Sequence, residues 1–131
     1  NVLIVEDDHI SSRLLQKMLV SLADCYVAVD GIGAVEAFTQ ALQDRDPYDL
    51  ICLDIMMPKM NGQEVLKMIR RIEREREVSE QAEAKVIMMT ALDSPQNVID
   101  AYFQGGCNGY LVKPIKKLQL LDLLKGYHLI S

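Results

Sequence analysis

Residues 50–62 read LICLDIMMPKMNG. The apolar run Leu50–Leu53 is too short for a buried helix, and the absence of polar alternation is typical of a strand covered on both faces. An acid, Asp54, follows this run directly. The closing pair Asn61–Gly62 indicates a turn with backbone freedom before the next apolar pattern. The segment therefore predicts a buried strand that places a carboxylate at one end of a sheet.

Similar short apolar runs occur on both sides of this strand, with amphipathic stretches between them. They are Val2–Val5, Cys25–Val29, Val86–Met89 and Tyr110–Val112. Short strands that alternate with helical patterns are typical of β-α units and of a parallel sheet. The sequence therefore predicts an α/β fold in a single domain that covers residues 1–131. A chain of this length can bury one hydrophobic core without disulfides.

The stretches between the strands carry apolar residues at helical spacing, which predicts the inward face of each helix. These faces are Ile10, Leu14, Leu15, Met18 and Leu22; Val35, Phe38 and Leu42; Val65, Leu66, Ile69 and Ile72; and Leu118, Leu121 and Leu124. A further helix is predicted over residues 95–104, because Ser94 can cap its start and Gly105–Gly106 can end it. The charged segment Arg70–Glu77 is interpreted as a solvated continuation of the third helix.

Composition limits the classes of partner. The net charge of −5, from 14 basic and 19 acidic residues, offers no basic surface for a phosphate backbone, so we expect no direct nucleic-acid binding. No apolar run reaches the length of a membrane span. Cys25, Cys52 and Cys107 show no CxxC spacing, and we interpret them as small buried hydrophobes of a cytoplasmic protein.

Polar residues follow the ends of the predicted strands. These are Glu6-Asp7-Asp8 after the first strand, Asp54 after the third, Thr90 after the fourth and Lys113-Pro114 after the fifth. In open α/β sheets, ligands bind outside the carboxyl ends of the strands. Crowded carboxylates repel one another unless a cation compensates. Oxygen-only ligation with several retained waters favours Mg²⁺, which commonly acts beside a phosphoryl group. The sequence therefore predicts a magnesium-assisted phosphoryl site at this edge of the sheet.

Four sequence blocks carry a family resemblance. VLIVEDD (2–8), LDIMMPKMNG (53–62), VIMMTA (86–91) and GYLVKP (109–114) resemble the signature blocks of the receiver domains of bacterial two-component response regulators, of the chemotaxis-regulator-like kind. The resemblance implies a flavodoxin-like (βα)5 three-layer sandwich whose five parallel strands have the order 2-1-3-4-5. It also implies a phosphoprotein switch rather than an enzyme with a diffusible substrate.

The resemblance also implies roles for the acidic residues. Asp54 matches the phosphoacceptor. Glu6 and Asp7 match the pair that holds Mg²⁺, for which Mn²⁺ could substitute, and the backbone carbonyl of Met56 matches the remaining protein ligand. The run of acids leaves two metal pairs open, Glu6-Asp7 or Asp7-Asp8. We favour the first, because Asp8 is well placed to cap the first helix.

The remaining roles concern the switch and the partners. Thr90 matches the switch hydroxyl, Tyr110 the aromatic switch and Lys113 the signature lysine, with a cis Lys113–Pro114 bond. The resemblance implies a histidine kinase or a histidine phosphotransfer protein as phosphodonor. It implies a downstream effector or a self-dimer on the face of the fourth helix, fifth strand and fifth helix, roughly Ser94–Tyr127.

Three rival functions fit the residues less well. A pseudo-receiver that only docks partners would not need the acids, Thr90 and Lys113. An aspartyl phosphatase would carry a second Asp two residues after the nucleophile, where this chain has Met56. A flavodoxin-like FMN carrier would carry a phosphate loop rich in Ser, Thr and Gly after the first strand, where this chain has Glu6-Asp7-Asp8.

Overall fold

The computed structural model describes residues 1–57, 60–90 and 106–130. Strands and helices alternate along these ranges, as the apolar pattern predicted. The elements are β1 (Val2–Val5), α1 (His9–Leu19), β2 (Cys25–Ala28), α2 (Gly31–Gln43), β3 (Leu50–Asp54), α3 (Gly62–Glu75), β4 (Lys85–Thr90), β5 (Gly109–Val112) and α4 (Lys117–Gly126), with a short 3-10 helix (Glu80–Ala82) before β4. The helix predicted over residues 95–104 lies outside the described residues.

The strands form one parallel sheet in the order β2-β1-β3-β4-β5. This order confirms the predicted flavodoxin-like α/β fold. The strand bounds differ from the predicted runs by about one residue, as is usual for element ends. The difference matters at β3 and β4, because the sheet itself includes Asp54 and Thr90. Both side chains are therefore held by strand geometry rather than by a loop.

The core consists of two apolar layers, one on each face of the sheet. The α2 and α3 layer packs Phe38, Val65 and Ile69 against one face, and the α1 and α4 layer packs Leu15 and Leu124 against the other. Strands β1 and β3 are buried along their whole length. Since a fully buried aliphatic side chain contributes about 1.5–3 kcal/mol, these strands give the site a rigid base.

The predicted inward faces of α1 and the last helix are partly wrong. Ile10, Leu14 and Leu118 are 71%, 52% and 77% exposed, although the helical spacing allowed them an inward position. Leu22, 46% exposed, also lies outside the core. The predicted Leu15 and Leu124 do face inward, and they are joined there by residues that were not predicted: Ser12, Leu19 and Leu120. Leucine is so frequent in both segments that the spacing fits two overlapping faces, and only packing selects one.

The prediction for segment Arg70–Glu77 is also partly wrong. The expected i,i+4 pair forms, with Arg71 Nε 3.1 Å from Glu75 Oε1, and it is exposed. In contrast, the side chains of Arg70 and Glu73 are only 13% and 2% exposed. One side of the charged segment is therefore part of the interior.

The burial of the cysteines and the lengths of the described helices agree with the expectations from the sequence. Cys52 and Cys107 are buried, Cys25 is half-buried, and all are unpaired thiols. Among the described residues, no helix combines the length and apolar content that a membrane span requires.

Candidate functional site

The acidic side chains meet because β1 and β3 are neighbours. Val5 pairs with Leu53, so Glu6 and Asp7, which follow β1, emerge beside Asp54 at the end of β3. One carboxylate oxygen from each of Glu6, Asp7 and Asp54 lies within 4.8 Å of the others. Glu6 and Asp54 are buried, and Asp7 is exposed. The pocket is thus open to solvent on the Asp7 side.

Asp54 is 4% exposed, and both of its carboxylate oxygens have partners. Its Oδ1 accepts a hydrogen bond from the backbone N–H of Met56 at 3.2 Å. Its Oδ2 lies 3.3 Å from Lys113 Nζ. The Met56 side chain is 64% exposed, so this residue meets Asp54 only through its backbone. The sequence prediction named the Met56 carbonyl and missed the N–H, because a backbone donor leaves no residue-type signal.

Lys113 also pairs with Glu6. Its Nζ lies 3.0 Å from Glu6 Oε2 and 3.2 Å from Oε1. Burial raises the pKa of Glu6 to about 7, although the hydrogen bond from Lys113 opposes this shift. For Lys113, burial alone would lower the pKa, but the hydrogen bond to Glu6 and the charge of Asp54 outweigh burial and raise it. Lys113 is therefore a fixed cation beside the Asp54 carboxylate.

The donor set fits a hard divalent cation. Three carboxylates and one ammonium group leave the ionised pocket with two uncompensated negative charges, which a divalent ion would offset. All side-chain donors in the cluster are oxygens, the ligands that Mg²⁺ and Mn²⁺ prefer. The raised pKa of Glu6 has a related cause, because burial removes water from this carboxylate and the charge of Asp54 adds to the effect. Glu6, Asp7 and Asp54 could together hold such an ion.

Asp8 lies outside this cluster and caps α1. Its Oδ1 accepts from the backbone N–H of Ile10 at 3.2 Å, and its Oδ2 accepts from Ser11 Oγ at 2.7 Å. The Ser11 hydrogen bond is the first cause of a lowered Asp8 pKa, although burial opposes it. Since the carboxylate is already used by the helix start, the geometry supports the pair Glu6 and Asp7 as cation ligands.

Thr90 and Lys113 lie at the ends of the neighbouring strands β4 and β5 and are connected by a backbone hydrogen bond. Thr90 is 3% exposed at the end of β4, and its carbonyl accepts from the Lys113 N–H at 2.8 Å. Tyr110, on β5, is 44% exposed. The Lys113–Pro114 peptide bond is cis, as predicted. The residues named from the sequence, Glu6, Asp7, Asp54, Thr90 and Lys113, thus share one end of the sheet.

Gly62 makes a close contact with β3. The sequence suggested that this glycine provides backbone freedom in a turn, but the structure gives it a different role. A Cβ atom at this position would clash with the carbonyl oxygen of Asp54 and lie 2.8 Å from Ile55 Cα. The only positive-φ glycine within the described ranges is Gly106, so Gly62 is needed for space and not for a left-handed turn. The Gly62 N–H donates to the Ile55 carbonyl at 2.9 Å, and Asn61 caps α3. The start of α3 therefore rests directly on the backbone of Asp54.

Comparison with known proteins agrees with this geometry. Residues 2–125 match the family model of the response regulator receiver domain. The transcription factor prr1 of Schizosaccharomyces pombe is 36% identical over 126 residues, which cover 95% of this chain and 21% of that protein. The chain thus spans about a fifth of this relative's length.

Solved structures show the same fold. The chemotaxis protein CheY4 of Vibrio cholerae has a TM-score of 0.76 at 28% identity, with 96% of both chains covered. A co-crystal structure from Saccharomyces cerevisiae, of the histidine phosphotransfer signaling protein Ypd1 and the receiver domain of its downstream response regulator Ssk1, matches with a TM-score of 0.81 at 29% identity, covering 97% of this chain and 87% of that chain.

Proposed function

This chain belongs to the response regulator receiver domain family of two-component signalling, and on that premise we propose that Asp54 accepts a phosphoryl group from a phosphohistidine. The observation that carries the proposal is the position of the Asp54 carboxylate. It is buried at the end of β3, 3.3 Å from the Lys113 ammonium group and within 4.8 Å of two further carboxylates. A carboxylate beside a fixed cation and a cation-binding acid pair is a competent phosphoryl acceptor.

In the proposed reaction, a carboxylate oxygen of Asp54 attacks phosphorus and forms the new P–O bond. The P–N bond to the donor imidazole breaks, the ring nitrogen keeps the bonding electron pair, and a proton from solvent leaves the donor imidazole neutral. The Lys113 ammonium group, 3.3 Å from Asp54 Oδ2, would offset the charge of a phosphoryl oxygen on Asp54. Positioning and charge compensation supply most of the catalysis in such transfers.

Magnesium is the proposed cofactor, held by Glu6, Asp7, Asp54 and the Met56 carbonyl, and Mn²⁺ could substitute. When bound, the ion neutralises charge on the transferring group. The observation that supports this assignment is the oxygen-only donor set with its excess of negative charge. Glu6 is buried and both of its carboxylate oxygens are paired with Lys113, so it is the best candidate for contact through water.

The proposed output is a conformational relay. Phosphorylation adds negative charge and acceptor oxygens beside the end of β4, which would draw the Thr90 hydroxyl inward and let Tyr110 move into the vacated space. Tyr110, Gln119 and Leu123 already line a groove of about 470 Å³ between β5 and α4. This groove belongs to the proposed output face at Ser94–Tyr127, where an effector or a second copy would bind. Residues 94–105 of that face lie outside the described residues.

The decisive experiment is Asp54→Asn. With Mg²⁺ and a small phosphodonor such as acetyl phosphate, we expect the wild type to gain one acid-stable, base-labile phosphoryl group and the variant to gain none. Asp24→Asn is the matched control, because it makes the same chemical change at an exposed position before β2. It should be labelled like the wild type. Labelling of Asp54→Asn at the wild-type level would place the acceptor elsewhere.

An exposed apolar surface beside the pocket favours a protein as phosphodonor. Ile10 and Leu14 project from the first half of α1, the helix that Asp8 caps next to the acids. A small apolar hollow lined by Leu14, Met18, Lys113 and Pro114 adjoins them. Single exposed apolar residues are normal, but a group of them at the mouth of a reactive site indicates a contact surface. We propose that a histidine phosphotransfer protein or kinase docks here.

This donor surface can be tested separately from the chemistry. Leu14→Glu should slow transfer from a phosphorylated histidine phosphotransfer protein by at least about tenfold, since a charge buried in an apolar contact costs well over 1.4 kcal/mol. Labelling by acetyl phosphate should stay unchanged. The control is Val20→Glu, at the other end of the same helix and 73% exposed. Equal losses for both variants would contradict the proposed surface.

The cytoplasm is the proposed location, consistent with the unpaired thiols. The net charge of −5 supports the proposal that this domain does not bind nucleic acid itself.

A further inference from the structure

The strand β5 lies at the edge of the sheet and, among the described strands, pairs with β4 alone. It is four residues long, yet it carries Tyr110 and leads directly into Lys113. A slip of one residue along β4 would displace Lys113 by about 3.3 Å and turn its neighbours to the opposite face. The register of β5 therefore determines whether Lys113 reaches Glu6 and Asp54.

Asn108 fixes the start of this strand. Its backbone N–H donates to the Val86 carbonyl at 2.9 Å, and its side-chain Oδ1 accepts from the Val86 N–H at 2.8 Å. The same Oδ1 accepts a second hydrogen bond, from Arg70 Nη2 at 2.9 Å. The residue before β5 is thus tied to Val86 of β4 by two hydrogen bonds and to Arg70 of α3 by a third.

Arg70 holds this junction from α3. Its Nε donates to the Gly106 carbonyl at 3.0 Å, and its Nη1 donates to the Ala84 carbonyl at 2.9 Å. Glu73 completes the cluster: its Oε1 lies 2.7 Å from Arg70 Nη1, and its Oε2 accepts from the Ala84 N–H at 2.8 Å. A planar guanidinium group is suited to such a set of fixed directions. The cluster joins α3 to the starts of β4 and β5.

We infer that Arg70 and Asn108 are positioning residues for phosphoryl acceptance: from the opposite end of the sheet they fix the register of β5 and so place Lys113 beside Asp54. The inference rests on the proposed function and adds two residues to it. At the far end of β5 the ladder pairs Val112 with Thr90, and the Lys113 N–H donates to the Thr90 carbonyl at 2.8 Å. The backbone of the proposed cation ligands belongs to β3 and to the residues after β1 and β3, so a shift of β5 leaves their positions in place and moves only the Lys113 ammonium group beside them.

This separation gives the inference its test. In Asn108→Leu, we expect the rate of Asp54 labelling by acetyl phosphate to fall by at least about tenfold, because displacement of a charged group by an ångström has effects of that order or larger. Magnesium affinity, measured by titration calorimetry, should not fall, because the carboxylates stay in place and a displaced Lys113 competes less with the ion. Asn108→Asp keeps the acceptor oxygen for Val86 and Arg70 and should restore the rate.

Arg70→Lys provides a second variant that keeps the charge and loses the fork of donors. As in Asn108→Leu, the labelling rate should fall and the magnesium affinity should not. All measurements are made below the unfolding temperature of each variant, determined by circular dichroism. In a Lys113→Met background, Asn108→Leu should cause little further loss, since the residue it positions is already absent.

Hydrogen exchange tests the positioning without any phosphorylation. In Asn108→Leu, the Lys113 amide should lose protection, whereas the Ile55 amide, which donates to the Met89 carbonyl at 3.1 Å, should keep it. A folded Asn108→Leu protein with wild-type labelling and wild-type Lys113 protection would overturn the inference, as would equal losses of magnesium affinity and rate. If the wild type itself were never labelled, the proposed function would fail, and the exchange result would still decide the positioning of Lys113.

Discussion

Replacement of Gly62 by alanine tests how closely α3 rests on the phosphoacceptor strand. The added Cβ would meet backbone atoms only: the Asp54 carbonyl group and Ile55 Cα, the latter at 2.8 Å where ordinary contact begins at 3.4 Å. The helix and the strand must therefore separate by about 0.6 Å or more, and overpacking of this kind costs about 1–3 kcal/mol. The higher helix propensity of alanine returns at most about 1 kcal/mol. We expect a net loss of stability and a displaced Asp54.

Two measurements test the expected loss of stability and the displacement of Asp54 in Gly62→Ala. Thermal unfolding followed by circular dichroism should show a midpoint lower by roughly 3–8 °C for a net loss of 1–2 kcal/mol, and labelling of Asp54 by acetyl phosphate should slow. Gly126→Ala is the control, because that glycine ends α4 and has no atom within 4 Å of the added Cβ. It should stabilise the protein by about 0.5 kcal/mol. A Gly62→Ala protein as stable and as rapidly labelled as the wild type would refute the reasoning.

Three further predictions concern other parts of the molecule. Glu73→Leu leaves a buried cation without its partner and should cost about 3 kcal/mol in urea unfolding, whereas Glu75→Leu breaks an exposed pair and should change stability by less than about 0.5 kcal/mol; equal effects would contradict the buried role. Burial raises the pKa of Cys52 to about 12, so at about pH 8 a thiol reagent should modify it only as fast as the domain unfolds, after the half-buried Cys25. Met56 is apolar and cannot orient an attacking water, so phospho-Asp54 should be long-lived and Met56→Asn should hasten its decay in a time course; unchanged decay would count against this assignment.

The strands and the acidic end of the sheet could be predicted from the sequence because their signals are local. An uninterrupted apolar run such as Leu50–Leu53 has few alternatives to a strand buried on both faces. The rule that ligands bind at the carboxyl ends of parallel strands then brings Asp54, Glu6 and Lys113 together without any knowledge of side-chain positions. Strand ends were less certain, because the pattern changes gradually where polar side chains begin.

The helix faces were predicted less well, because periodicity alone does not rank competing apolar residues. In α1, Ile10 and Leu14 fit one face and Leu15 and Leu19 fit another, and the buried Ser12 favours the second face only after packing is known. Ile10 and Leu14, which do not enter the core, lie on the helix that begins beside the acidic pocket. Their exposure supports a contact surface for a partner, so an error in the predicted core coincides with a proposed functional feature.

The cluster around Arg70 could not be predicted, since its partners are backbone groups and one amide distant in sequence. Arg70 and Arg71 are neighbours in the same charged run, yet one is 13% exposed and bridges three elements while the other is 67% exposed in a surface pair. Residue type and spacing are the same for both, so the difference arises from the direction of each side chain on α3. That direction follows from the rotation of α3 about its axis, and α3 begins where Gly62 rests on Asp54. A change at the phosphoacceptor end of α3 should therefore be transmitted to the hydrogen bonds that position β5 at its other end.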